Sequence, residues 1–130
     1  MNTHESYVNI NTALMLKKAG FDLELKTYYF MGELGETMLG EPKNHNISGE
    51  FISAPTLDVA RKWLFSKGVV VWVEPCKITN DVRSLGFDKV NTEIWRAISW
   101  VSDDGHYVCE GHSYEEALEN GIINGIQLLD

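Results

Sequence analysis

Two helix-opening signatures bracket a long stretch of strand-like sequence, and they constrain the fold more than any other feature. Residues 53–56 read Ser-Ala-Pro-Thr and lead into Trp63, and residues 113–118 read Ser-Tyr-Glu-Glu-Ala-Leu. Each offers a side-chain oxygen to the free N–H groups of a helix start, and apolar residues follow at helical spacing. They predict one helix from Ser53 or Ala54 to about residue 67, and a later helix that begins after Ser113.

The remaining elements are predicted from periodicity and turn residues. A first helix capped by Asn11 or Thr12 ends at Gly20, and alternation over 23–31 predicts a strand. A short strand around 36–39 and a surface loop over 41–50 come before the second helix. The apolar run 69–73 predicts a central strand covered on both faces. Residues 92–102 are predicted to form a strand. The Asp-Gly pair that follows predicts a tight turn, after which 106–111 forms an antiparallel strand.

Together these elements predict a single α+β domain over residues 1–130, because a chain of 130 residues fits one core. The expected order is α-β-β-α-β-β-β-α, with a largely antiparallel sheet that carries three helices mainly on one face. Trp63 is predicted to lie in the core. A stripe of small residues in the last helix, Ala117, Gly121 and Gly125, predicts that this helix lies close against the sheet.

Composition excludes some classes of function. The formal net charge is −8, and the acidic residues are dispersed along the chain, which argues against DNA or RNA as a direct ligand. Cys76 and Cys109 are the two cysteines, too few for a disulfide framework, so reduced thiols are expected. The sequence shows neither an export signal nor a long apolar run. We therefore expect a cytoplasmic protein without membrane insertion.

Residues of the types that bind zinc occur at His106, Cys109 and His112. On the predicted strand, however, the side chains of His106 and Cys109 would point to opposite faces. We therefore expect no metal and no other cofactor. The sequence has no nucleophile elbow, no phosphate-binding loop and no His-Glu-x-x-His motif, so no catalytic residue is assigned. Asp103 and Asp104 precede Gly105, which indicates a turn rather than a carboxylate pair for acid–base chemistry.

The chain has four tryptophans, more than one small core requires. Trp63 and Trp72 are the two best explained by burial. Trp95 and Trp100 differ by five positions, so on one strand they face opposite sides, and at least one is available for binding. A binding site is predicted from the aromatic, imidazole and carboxylate groups of this region: Trp95, Trp100, His106 and Glu110.

The signatures at 53–56 and 114–118, with Lys62-Trp63-Leu64 and Trp95, resemble a group of small proteins encoded by phages and prophage-like elements of gut bacteria. The order of elements agrees from the first helix onward. No reaction, cofactor or catalytic residue is assigned to that group. The resemblance therefore implies a context, a mobile element in which inhibitors, adaptors and accessory proteins are common.

Three functions follow as hypotheses. The first is a non-enzymatic accessory protein that binds a host or phage protein through an exposed aromatic and acidic surface. The second is an enzyme or small-ligand-binding protein whose pocket is lined by the four residues of the predicted binding site. The third is an acidic mimic of nucleic acid. A flat aromatic patch favours the first, a deep pocket with convergent polar groups the second, and a continuous acidic ridge the third.

Overall fold

The helices and strands follow the predicted order, with one short strand added before the second helix, and confirm the α+β class. The computed structural model describes residues 6–30, 33–75, 95–101 and 105–129, with the backbone alone at 33–36, 75, 101 and 105–108. Along the chain the elements are α1 (Ile10–Lys18), β1 (Leu25–Phe30), β2 (Glu33–Lys43), a 3₁₀ turn (His45–Ile47), β3 (Phe51–Ser53), α2 (Leu57–Ser66), β4 (Val70–Pro75), β5 (Trp95–Val101), β6 (Gly105–Gly111) and α3 (Tyr114–Gln127).

The described strands form two antiparallel sheets of three strands. The first sheet has the order β2-β1-β3 and the second has the order β4-β5-β6. Among the described strands β4 therefore lies at the edge of its sheet, and its Trp72 is 37% exposed. Trp72 is therefore exposed rather than buried as predicted, and β4 is not central among the described strands. A continuous apolar run has no alternation, so the sequence does not tell a covered face from an open one.

The start of α2 also differs from the prediction. Thr56 is the N-cap, and its hydroxyl accepts a hydrogen bond from the N–H of Val59 at 3.2 Å. The chain stays extended before this point because a residue that precedes proline, here Ala54, is disfavoured in the helical conformation. Ser53 belongs to β3 instead, where its buried hydroxyl accepts a hydrogen bond from the N–H of His45.

The first helix begins earlier than predicted, but its end is as expected. Asn9 is the N-cap and accepts from the N–H of Thr12 at 2.9 Å. At the other end Gly20 has a φ of 96°, and the N–H of Phe21 donates to the carbonyl of Leu16 at 2.9 Å. This is the Schellman arrangement that closes a helix with a left-handed residue, and Gly68 ends α2 in the same way.

The predicted surface loop over 41–50 is ordered over its first half. Strand β2 continues to Lys43, and His45 is buried in the 3₁₀ turn that follows. A ring nitrogen of His45 lies 2.8 Å from the carbonyl oxygen of Leu25, and its ring stacks on Tyr28 at 4.5 Å. The contacts of His45 hold this segment in place, although its sequence has no periodic pattern of apolar residues. The absence of such a pattern is why the sequence predicted a loop.

One hydrophobic core joins the two sheets. Residues 6–9 run beside the segment that leads into α2, where the N–H of Val8 donates to the carbonyl of Pro55. The Tyr29 hydroxyl of the first sheet donates to the carbonyl of Val8 at 2.6 Å, and its burial raises the pKa of the phenol. The largest fully buried apolar side chains come from both halves of the structure: Phe21, Leu16, Ile52, Leu64 and Ile122.

The last helix is capped as predicted and lies against the second sheet. The N–H of Glu116 donates to the Ser113 hydroxyl, while the Glu116 carboxylate accepts from the N–H of His112, both at 3.0 Å. A Cβ atom added at Gly121 would lie 2.8 Å from the Cβ of Ala97 and 2.9 Å from a methyl carbon of Val71. The predicted close contact is confirmed.

We expect Trp63→Ala to lower the free energy of unfolding by about 3 to 5 kcal/mol, because Trp63 is 3% exposed and lies 5.3 Å from the Phe21 ring. Denaturant unfolding measures this change. Phe65→Ala on the same helix is the matched control, since Phe65 is 67% exposed and its loss should change stability by less than about 0.5 kcal/mol. A loss below about 1 kcal/mol for the Trp63 variant would contradict its place in the core.

We expect Gly121→Ala to destabilise the fold by about 1 to 3 kcal/mol, because the new methyl group overlaps Ala97 and Val71. On an exposed helix the same change would stabilise the protein by about 1 kcal/mol. The sign of the shift in melting temperature therefore shows whether the helix is closely packed at this position. Gln127→Ala, at an exposed position of α3, is the control and should stay within about 0.5 kcal/mol of the parent.

Candidate functional site

The two faces of the second sheet differ because α3 covers one of them. Ala97 and Ser99 of β5 are buried beneath the helix, and the Ser99 hydroxyl donates to the carbonyl of Gly121. Alternation along the strand puts Trp95 on this inner face, where its ring meets Tyr114 edge-on at 5.7 Å. Trp100 lies on the opposite face, as the spacing of five residues predicts.

The structure does not bring the four residues of the predicted binding site together. In the backbone register Trp100 pairs with His106, whereas Glu110 pairs with Arg96, four positions away along β5. Four residues of strand separate these pairs by about 13 Å. Trp95 lies on the other face of the sheet, and the side chain of His106 is outside the described part of the chain.

The outer face of the second sheet carries an exposed apolar patch. In the register Val70 of β4 pairs with Trp100, and Trp72 pairs with Ile98, so these four residues form two adjacent rows on one face. Trp72 and Trp100 are diagonal neighbours in this arrangement and are 37% and 38% exposed. We call Val70, Trp72, Ile98 and Trp100 the outer-face patch.

A cleft of 320 Å³ adjoins this patch, and we call it the α2–β4 cleft. It is lined by side chains of α2 and by three successive residues of β4: Arg61, Lys62, Phe65, Val70, Val71 and Trp72. Val70 and Trp72 belong to both the patch and the cleft. The two features therefore form one continuous surface whose exposed aromatic rings are Phe65, Trp72 and Trp100.

Charged groups stand at both ends of this surface. At the cleft, the carboxylate of Asp58 contacts the Arg61 guanidinium at 2.6 Å and the Lys62 ammonium at 3.1 Å. The hydrogen bonds from Arg61 and Lys62 lower the pKa of Asp58, so this carboxylate stays ionised. Beyond the patch, the Arg96 guanidinium donates from Nε and Nη2 to one carboxylate oxygen of Glu74, at 3.0 and 2.6 Å.

Among the groups that suggested catalysis or metal binding, the structure describes the side chains of Cys109 and His112. Cys109 pairs with Ala97, and its thiol lies 3.8 Å from the Ala97 carbonyl oxygen. Burial raises the pKa of the Cys109 thiol, the opposite of what activates a cysteine nucleophile. Within the described ranges, no three His, Cys, Asp or Glu side chains lie close enough to hold a metal ion. Cys76 lies outside the described residues.

A second cleft, of 200 Å³, lies where the first turns of α2 and α3 meet. Asp58 and Glu115 are its acidic residues, and Tyr114 and Leu118 give it an apolar wall. The lowered pKa of Asp58 makes that group a poor general acid at neutral pH. We therefore do not assign acid catalysis to Asp58 in this cleft.

Phe65 and Trp72 were missed as site residues by the sequence analysis. The signal at Phe65 was available, because the buried residues of α2 are Leu57, Ala60, Trp63 and Leu64, and a phenylalanine outside that apolar stripe faces away from the core. For Trp72 the uninterrupted apolar run concealed which face is open.

Comparisons with protein-family models, with curated proteins and with solved structures found no match to this chain. Among the described helices none has the length and apolar character needed to cross a membrane.

We expect the Cys109 thiol to be alkylated by iodoacetamide at pH 8 more slowly in the folded protein than in urea, because burial raises its pKa and restricts access. Peptide mapping by mass spectrometry, which separates the Cys109 and Cys76 peptides, measures the two rates. Equal rates for Cys109 in the folded and unfolded protein would contradict the environment described above.

Proposed function

We propose that this chain is a non-enzymatic binding protein that recognises another protein through the outer-face patch and the α2–β4 cleft. One observation carries the proposal. Three large aromatic side chains, Phe65, Trp72 and Trp100, are exposed on one continuous surface, although the core contains Phe21 and Trp63 and is complete without them.

The composition of this surface fits protein recognition. Tryptophan and arginine are the residue types that most often dominate the energy of protein interfaces, and aromatic rings at the centre of such a surface are desolvated on binding. Arg61, Lys62 and Arg96 lie around the rings, in part paired with Asp58 and Glu74. A charged rim of this kind contributes to specificity and to the rate of association more than to affinity.

The other two hypotheses have less support from this geometry. A small-ligand site would require Trp95 and Trp100 on one wall, and they lie on opposite faces of the sheet. A mimic of nucleic acid would present a continuous acidic surface, whereas the candidate surface carries cations beside its carboxylates. The resemblance to phage and prophage proteins suggests the setting, in which the partner is a host or phage protein.

The test is affinity capture with the immobilised chain from a lysate of the source organism, quantified by mass spectrometry. We expect a partner protein that the parent retains and that the double variant Trp72→Ser, Trp100→Ser retains at least about tenfold less, the loss typical of interface anchors. Ile47→Ser is the control, because Ile47 is 83% exposed and lies on the 3₁₀ turn, outside the candidate surface.

Thermal melting of each variant shows that it is folded before capture. If the proteins retained by the parent are retained equally by the double variant, the surface is not the binding site. If the parent retains nothing beyond what an unrelated acidic protein of equal size retains, the proposed function itself is contradicted.

A further inference from the structure

The α2–β4 cleft lies along an edge of β4 rather than over one face of the sheet. Three successive residues of this strand, Val70, Val71 and Trp72, line the cleft. Because successive side chains of a strand point to opposite faces, a space that touches all three must run along the edge. The other edge of β4 is paired with β5 from Val70 to Pro75. The cleft therefore borders the edge that pairs with no described strand.

This edge is regular, in contrast to the outer edge of the first sheet. The pairing of β2 with β1 is interrupted by two register shifts, and β2 contains Pro42, which has no N–H to donate. Proteins commonly blunt exposed edges in these ways. The register of β4 with β5 has no interruption, residues 70–73 are all apolar, and the proline of this strand is its last residue, Pro75. An apolar edge that no described strand pairs with is suited to pairing with another chain.

The facing wall supplies an apolar contact and a positive charge. Phe65 stands one helical turn after Arg61 on α2, at the side of the cleft opposite β4. Arg61 and Lys62 share the single carboxylate of Asp58, which leaves one net positive charge here on a protein whose net charge is −8. The Nε atom of Arg61 is buried and has no hydrogen-bond partner in the described part of the chain. A carboxylate from a ligand would compensate this charge through the exposed parts of the Arg61 and Lys62 side chains.

We propose that the α2–β4 cleft binds an extended, acidic segment of a partner protein, which adds as a strand to β4. Its backbone pairs with the open edge, an apolar side chain enters between Phe65 and Trp72, and a carboxylate meets Arg61 and Lys62. A bound helix would leave the N–H and C=O groups of the β4 edge without partners, so the strand is the occupant that this geometry favours. The inference rests on the proposed function and specifies the form of the partner.

The test begins with selection of random peptides of about twelve residues, displayed on phage, against the immobilised full chain. We expect the enriched peptides to carry Asp or Glu beside alternating apolar residues. Synthetic copies should bind more weakly when the salt concentration rises from about 50 mM to about 500 mM, because screening reduces the attraction to the cations.

Variants locate the binding in the cleft. We expect Phe65→Ser to raise the dissociation constant of the selected peptides by about tenfold. The double variant Arg61→Gln, Lys62→Gln should raise it by a similar factor and should also make peptide binding less dependent on salt. The double variant Lys26→Gln, Lys43→Gln is the charge-matched control, because Lys26 and Lys43 are exposed cations of the first sheet. It should bind the peptides as the parent does.

Hydrogen exchange establishes strand addition. Amide exchange over residues 70–74 should slow by at least about tenfold when peptide is bound, and peptides N-methylated at alternate positions should not bind. Binding that depends on the cleft but leaves this exchange unchanged would indicate a helical occupant and overturn strand addition. Sedimentation that shows a dimer formed through β4 would make a second copy the occupant and overturn it also.

The proposed function and this inference fail separately. If capture of the partner depends on Trp72 and Trp100 while no peptide binds in a cleft-dependent way, the inference is wrong and the proposed function stands. If selected peptides bind to the cleft but no protein is captured through the aromatic surface, the assignment of a protein partner is wrong.

Discussion

The contact between α3 and the second sheet is the interaction on which the rest of the structure depends. At Gly121 the helix backbone is so close to β4 and β5 that an added Cβ would overlap Ala97 and Val71, and the Ser99 hydroxyl hydrogen-bonds to the Gly121 carbonyl. The last residue of β6 is equally close to the helix, because a Cβ at Gly111 would lie 2.5 Å from the backbone nitrogen of Ala117. Backbone atoms cannot give way as a flexible side chain can, so this position requires glycine.

This close contact determines which side chains the outer face receives. At the middle of β5, where Gly121 is closest to the sheet, the inner face holds the small residues Ala97 and Ser99. The large side chains of the middle of β5, Ile98 and Trp100, are therefore on the outer face, which the helix does not cover. The helix thus packs on the inner face of the second sheet, and the surface that we propose binds a partner lies on its outer face.

Much of the fold could be predicted from the sequence because its signals are local. The ends of α1 and α2 follow from a glycine that adopts positive φ, and the start of α3 follows from Ser113 and Glu116. The signals failed where a distant contact decided the structure. His45 is buried by its contacts with Leu25 and Tyr28, and Ser53 caps no helix because its hydroxyl holds the 3₁₀ turn.

The candidate site was less predictable, because it depends on how strands pair. The spacing of Trp95 and Trp100 correctly placed them on opposite faces, but only the register shows that Trp100 is joined by Val70 and Trp72. Strand order within a sheet is a long-range property, and no local signal in residues 69–73 distinguishes an edge strand from a central one. For the same reason the cleft beside α2 could not be anticipated from the sequence.

The charge of the chain explains how an apolar edge that no described strand covers can be tolerated. A net charge of −8 makes two copies of the chain repel one another, which opposes association through the aromatic surface. The local positive charge of Arg61 and Lys62 lies beside that edge and attracts a short segment rich in carboxylates, whereas the net charge of the chain repels other acidic proteins. The same electrostatic pattern thus opposes self-association and agrees with the acidic partner segment that we propose.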